Sequence, residues 1–361
     1  SPSAGNIVAV KDYNGNFASA NLTIGRNGSP INGGSSQDVV VTTSGASIVL
    51  VYVDATQGWV ATQDDESTFT GASFITATGG TITEDGNDKI HTFTGPGTFT
   101  VCTASTCAAN NVVSYVIVGG GGGAGGYYGG GGAGGFREFK SPVTPYTASP
   151  LEGATPITVT AQGYPIVIGA GGSAVSPGTT NGNPGNNSSA FGITAALGGH
   201  GSGTTSPSPG AGPGGSGGGE GYIQNSPGNG NTPPVSPPQG NNGGAASPVG
   251  GAGGGGGGAT AVGANGSSST PSSDQGVGGA GGAGATSSIT GSPVARAGGG
   301  GGGGVCGGGA GGTGGGGTGQ GGNSGGQPAQ TGAANTGGGG GARGSCGSGG
   351  SGIVIIRYKY K

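Results

Sequence analysis

The sequence predicts an all-β protein joined to a polyglycine-II body. Sandwich-like β modules come first, followed by a glycine-rich domain of packed polyglycine-II helices roofed by β strands. Three observations carry this reading. The N-terminal third consists of short β-branched segments split by turn residues, with no useful stretch of helical period. Glycine supplies 102 of 361 residues, and it does not recur strictly at every third position as collagen requires. Apolar strands stand at both ends of the glycine, VVSYVIV leading in and GIVIIRYKYK leading out.

The first region, 1–66, reads as a small β module. DVVVTT and SIVLVYVD are strand-like, QGWVATQ follows a tight turn, and NGN, RNGS and INGG supply turn chemistry. Trp59, the single tryptophan, is expected in the core or at a subunit contact. The second region, 67–118, continues as strands through KIHTFTG, GTFTVCT and VVSYVIV, divided by DGN and GPG. The third region, 119–361, is the glycine-rich domain. TPITVTAQGYPIVIGAGG reads as a hairpin within it, and NNSSAFGITAALGGHG as a short strand running back into glycine.

Glycine and proline at about a third of a chain usually signal disorder. Disordered chains are commonly kept open by high net charge and low hydrophobicity. This chain has a formal charge of -3 and is 30% hydrophobic. From residue 141 to 352 the charged residues are Glu152, Glu220, Asp274, Arg296 and Arg343 alone. Such a chain must satisfy its backbone groups internally. Polyglycine-II segments have no internal hydrogen bonds, so they must pair laterally, where glycine lets backbones approach. The segments that enter and leave the body are expected to pair with each other.

The charge balance gives no footprint for nucleic acid. No apolar run approaches the roughly 20 residues of a membrane span, so no membrane insertion is expected. Four cysteines, Cys102, Cys107, Cys306 and Cys346, are poorly spaced for zinc. A Cys102–Cys107 disulfide closing a short loop is the expectation, and Cys306 and Cys346 are left unassigned. Acidic groups at 64–66 and at Glu84, Asp85 and Asp88 read as solvated turns, because their spacing fits no calcium loop. No cofactor, metal or catalytic group is nominated, and an enzyme is not expected. His91 lies in an alternating strand, and His200 has no acidic neighbour in sequence. A GxSxG match within 321–326 is expected by chance in so much glycine and lacks a strand-to-helix turn. Candidate binding residues are the side chains that interrupt glycine: Tyr127, Tyr128, His200 and Tyr222, with the Pro/Asn-rich loops of 206–240.

Five blocks carry a resemblance, in order: KIHTFTGPGTFTV, VVSYVIVGGGGGAGG, YPIVIGAGG, GNNSSAFGITAALGGHG and GSGGSGIVIIRYK. Over 89–361 the chain resembles the glycine-rich domain of bacteriophage tail and fibre proteins. NLTIGRNGSPINGG with SIVLVYVDATQGWVA is similar to a small β module of phage fibre proteins. The resemblance implies a virion appendage, tail or capsid fibre, that functions outside the cell. It implies a homotrimer whose N-terminal module meets other virion proteins. It also implies an adhesin whose distal loops bind a bacterial surface receptor, a glycan or an outer-membrane protein. The alternative is a purely structural virion component, decorating a capsid or neck. Inserts at 143–155 and 206–250 depart from the family's pattern.

Overall fold

The β-branched runs form strands wherever alternate side chains find a buried face. The computed structural model describes residues 2–33, 38–64, 74–105, 107–176, 178, 180–203, 210–221, 226–249, 251–268, 275–322 and 328–361. Five strands build the N-terminal module: β1 (Ile7–Lys11), β2 (Leu22–Ile24), β3 (Val39–Val41), β4 (Ser47–Asp54) and β5 (Gly58–Asp64). A β1-β4-β5 antiparallel sheet and a β2-β3 pair share one core of Ile31, Val41, Ala46, Ile48 and Leu50. Trp59 packs on that core and meets Tyr52 edge-on at 5.5 Å between centroids. Gly58 is required beside it. Its φ is +67°, and a Cβ there would overlap the Pro30 carbonyl that accepts from Trp59 N.

Asp12 organises the module's loops. Its buried carboxylate accepts from the backbone N–H groups of Asn16 (3.0 Å), Phe17 (2.9 Å) and Gly45 (3.0 Å). Burial alone would raise its pKa, but these backbone bonds outweigh it and hold the carboxyl below the ordinary value. A depressed carboxyl stabilises the fold above the unfolded pKa, about 3.9, and loses that contribution as pH falls through the folded value. Acid should therefore loosen the module from below about pH 4. Because Trp59 is the only tryptophan, its fluorescence reads this module alone. An Asp12→Asn variant should start less stable and show a flatter acid limb; an unchanged limb would overturn the assignment.

Four strands lead towards the glycine: β6 (Thr76–Thr78), β7 (Thr81–Asp85), β8 (Asp88–Phe93) and β9 (Gly97–Thr103). Then come β10 (Val112–Val118), β11 (Phe136–Phe139), β12 (Ile157–Thr158), β13 (Gly163–Ile166), β14 (Ser188–Ala190) and β15 (Ile193–Ala195). The last five are β16 (Ser267–Ser268), β17 (Gly276–Val277), β18 (Ala285–Ser287), β19 (Val294–Arg296) and β20 (Ile353–Lys359). No α-helix occurs among the described residues, and the sheets are small, antiparallel and unclosed. The strands leading in and out do pair: β10 runs antiparallel to β20, with Val118 opposite Ile353. They form the centre of a sheet ordered β11-β10-β20-β8-β7. Both read as continuous apolar runs because both their faces are buried. Tyr115, Ile117, Val354, Ile356 and Tyr358 face Phe99 and Ile166 of the β13-β9-β6 sheet. Val116, Val118, Ile353 and Ile355 face Phe136, Ile289 and the alanines of the glycine-rich body. Each such side chain contributes about 1.5–3 kcal/mol on burial.

Three expectations are corrected here. The segment 155–172 is not a hairpin. β12 pairs with β10, placing Ile157 opposite Val113, whereas β13 pairs with β9, placing Tyr164 opposite Phe99. The Cys102–Cys107 bridge is absent, and both thiols are free. Cys102 alternates with Phe99 and Val101 and faces outward, whereas Cys107 is buried at the foot of a 3-10 turn, Ala108–Asn111. The loop is closed instead by Asn111, whose side chain accepts from Ser105 N at 2.7 Å and donates to Ser105 O at 2.8 Å. The acidic turn at 84–88 is not wholly solvated. Asp88 is buried against Arg357 of β20, with Nη2 to Oδ2 at 2.7 Å, and Arg357 Nη1 also meets Asp85 Oδ2 at 2.8 Å. The acidic group at 64–66 falls largely outside the described residues.

His91 is structural. Its Nδ1–H donates to Gly79 O at 2.7 Å and Nε2 accepts from Tyr358 Oη at 3.1 Å. Burial pushes the imidazole pKa down and the Tyr358 phenol up to about 12, so both are neutral at pH 7.

The glycine-rich body is held by a hydrogen-bond register with a period of three. In segment 119–126, Gly119, Gly122 and Gly125 donate to Gly135, Gly132 and Gly129. Gly120, Gly123 and Gly126 donate to Asn186, Asn183 and Thr180. Gly121 and Ala124 donate to Gly350 and Gly347. One backbone thus binds three neighbours in rotation. Segment 129–135 repeats the rule: Gly130 and Ala133 turn to Gly254 and Gly257, Gly131 and Gly134 to Gly340 and Gly337, Gly132 and Gly135 to Gly199 and Ala196. Approach is close enough that a Cβ at Gly131 would overlap the Gly122 carbonyl.

Candidate functional site

Chain direction gives the body two ends. Segment 119–126 leaves β10, reverses at Tyr127 and Tyr128, and returns through 129–135 into β11. Segment 337–342 reverses at 343–346 and returns through 347–352 into β20. These reversals lie together at the end remote from the sheet. The Arg343 guanidinium sits 5.3 Å from the centroid of the Tyr128 ring, and Cys346 Sγ lies 3.4 Å from Gly125 O. A Cβ at the glycines flanking this reversal, such as Gly125 and Gly129, would overlap a neighbouring backbone carbonyl, so the two tyrosines stand where the chain turns.

The structure separates the two tyrosines. Tyr128 is 3% exposed: its ring fills the space over Gly303 and its carbonyl accepts from Gly303 N at 2.8 Å. Tyr127 is 42% exposed and stands edge-on to Tyr128 at 4.2 Å between centroids. Tyr128 with Arg343 therefore forms a base on which Tyr127 stands partly open to solvent.

The other candidates are not brought to this pair. His200 is half-buried within segment 196–203; its ring lies over Gly212 and its carbonyl accepts from Gly212 N at 2.8 Å. Burial holds its pKa below the usual histidine value. Tyr222 lies outside the described residues, as do 206–209 and 223–225 of the candidate loops and 323–326 of the chance GxSxG match. The proline-rich part of those loops, 232–238, lies at the sheet end. Gln239 O accepts there from Phe136 N at 2.8 Å, and Gln239 Nε2 donates to Pro233 O at 2.9 Å. Sequence reasoning missed Arg343. Its signal was a lone cation in an almost uncharged stretch, but the ring it covers lies more than 200 positions earlier.

A family profile described as a glycine-rich domain matches residues 93–359. The chain belongs to this glycine-rich domain family. The match begins at Phe93, the last residue of β8, and ends at Lys359 in β20, so it takes in β10, β11 and β20 of the central sheet together with the packed glycine segments, while β7 and the rest of β8 precede it. No curated protein matches the chain.

Proposed function

We propose that this chain is a bacteriophage fibre or tail protein, an adhesin that binds a bacterial surface through the reversals at the remote end of a polyglycine-II scaffold. The observation that carries the reading is Tyr127. It is an exposed aromatic ring on a fixed base, at the end of segments whose three-residue register matches the three-fold turn of a polyglycine-II helix. Rigid scaffolds that present side chains from their turns suit recognition, because little freedom is lost on binding. The order of the five sequence blocks supports the viral setting. In this reading the N-terminal module, sandwich-like in its shared core, faces the particle within a homotrimer, and the protein functions on the virion outside the cell.

Fluorescently labelled protein should bind susceptible bacteria saturably and block phage adsorption. Tyr127→Ala should weaken binding about tenfold or more, as loss of a central aromatic contact does. Its thermal midpoint should stay within about 0.5 kcal/mol equivalent of the parent, as for an exposed side chain. Absence of binding at micromolar protein would leave a purely structural virion component as the reading.

A further inference from the structure

At the sheet end, a separate cavity of about 290 Å³ opens beneath the β14–β15 hairpin. Its lining includes Arg137 of β11, Asn187, Ile193, Thr194, Val235 and Gln239. Arg137 is 7% exposed, and no ion pair joins it to any described carboxylate. Its Nε is buried without a hydrogen-bond partner, and its one hydrogen bond, Nη1 to Pro237 O, is stretched to 3.5 Å. The neighbouring Glu138 points to the opposite face of the strand, where it accepts from Ser287 Oγ at 2.6 Å and Ser149 N at 2.9 Å.

The other buried arginines have a carboxylate on their side. Arg357 is paired with Asp85 and Asp88, and Arg296, although it makes no ion pair among the described residues and its Nη1 is buried without a hydrogen-bond partner, has its charge favoured by Glu138 against the opposing effect of burial. Burial lowers the Arg137 pKa, and among the described residues no carboxylate acts against this, only the Tyr115 phenol. A guanidinium without a counter-charge is among the costliest groups to bury. It is tolerable where a ligand supplies the missing anion.

We propose that this cavity binds the carboxylate of a small acidic sugar, with Arg137 as its counter-ion. The planar guanidinium fork matches a carboxylate in two parallel hydrogen bonds. The remaining donors are neutral and suit hydroxyl groups. The Asn187 carbonyl oxygen is occupied by Leu197 N at 2.8 Å, which leaves its amide NH₂ to donate. The Thr194 hydroxyl is exposed and makes no hydrogen bond within the described chain. Gln239 forms a fixed wall, with Oε1 holding Ala196 N at 2.9 Å and Nε2 holding Pro233 O. Ile193 and Val235 supply apolar surface for the C–H face of a ring. A single cation among neutral donors favours a monoanion over phosphate. The volume lies at the lower edge of small-molecule sites, roughly 300–1,000 Å³, which fits one sugar unit rather than a chain.

Calorimetric titration of the full chain with sodium glucuronate tests this, with glucose and inorganic phosphate as parallel probes. Saturable glucuronate binding is expected, with glucose at least about tenfold weaker because it lacks the charge-assisted bonds. Arg137→Gln should weaken glucuronate by roughly tenfold or more. Because that variant alters a buried residue, Thr194→Val provides a second reading. It should lose about threefold to tenfold in affinity with an unchanged thermal midpoint. No saturable heat with glucuronate up to tens of millimolar would overturn the proposal. So would undiminished binding by folded Arg137→Gln, or binding of phosphate but not glucuronate.

Discussion

Replacing Gly131 with alanine is expected to destabilise the glycine-rich domain by about 3 kcal/mol or more, although it adds one methyl group. The added Cβ would meet the Gly122 carbonyl, which is backbone and cannot rotate aside. That carbonyl is itself engaged, accepting from Gly340 N at 3.0 Å, and Gly131 O accepts from Gly300 N at 2.8 Å. Relief of the overlap must therefore displace segments already bonded on several sides. Overpacking an ordinary core costs about 1–3 kcal/mol because side chains can repack, and here that route is closed. The matched control is Gly95→Ala, in the turn between β8 and β9, where a Cβ meets nothing within 4 Å and φ is not left-handed. That change should be neutral within about 0.5 kcal/mol. Thermal unfolding and protease resistance compare the pair. Equal midpoints would show that the segments are not closely packed.

Arg357→Met should cost about 3–5 kcal/mol, the usual penalty for stranding a buried charge. Asp88 is 1% exposed, and its partner would be gone. Arg357 also donates to Ile289 O at 3.2 Å and lies 5.4 Å from the centroid of Tyr146, so it ties the 143–155 insert and the β18–β19 connection to the sheet. Burial already pushes the Asp88 pKa up despite the arginine. A raised carboxyl pKa means that the folded state holds its proton more tightly than the unfolded chain does. Stability therefore rises as pH falls through the folded value towards the unfolded one, about 3.9. The Arg357→Met variant should regain part of its loss on mild acidification, and Arg357→Met/Asp88→Asn should regain it at neutral pH. A double-mutant cycle by thermal denaturation measures the coupling; additive losses would mean the pair does not act as a unit.

The contrast between what sequence reading reaches and what it misses follows from distance along the chain. β10 and β20 were legible because uninterrupted apolar runs bracketing glycine have few destinations other than a buried sheet. The 155–172 segment misled because propensity reports that residues prefer strands, not which strand they pair with. Val113 and Phe99 recruited its two halves to different sheets. Asp88 looked solvated because Arg357 stands 269 positions away. The cysteine spacing permitted a bridge, but strand alternation sent Cys102 outward. Polyglycine carries no side-chain pattern, so nothing in the text distinguishes Gly120, which bonds Asn186, from Gly121, which bonds Gly350. Tyr127 and Tyr128 were marked by their rarity, but their different roles emerge only from the segments around them.

The three-neighbour register has a spectroscopic consequence. Much of the order resides in segments that are neither helix nor sheet ladder, and the polyglycine-II geometry proposed for them is also common in unfolded chains. Far-ultraviolet dichroism should therefore resemble that of a denatured protein. Amide hydrogens such as those of Gly122 and Gly131, bonded and shut away from water, should nevertheless exchange only as slowly as the domain opens as a whole.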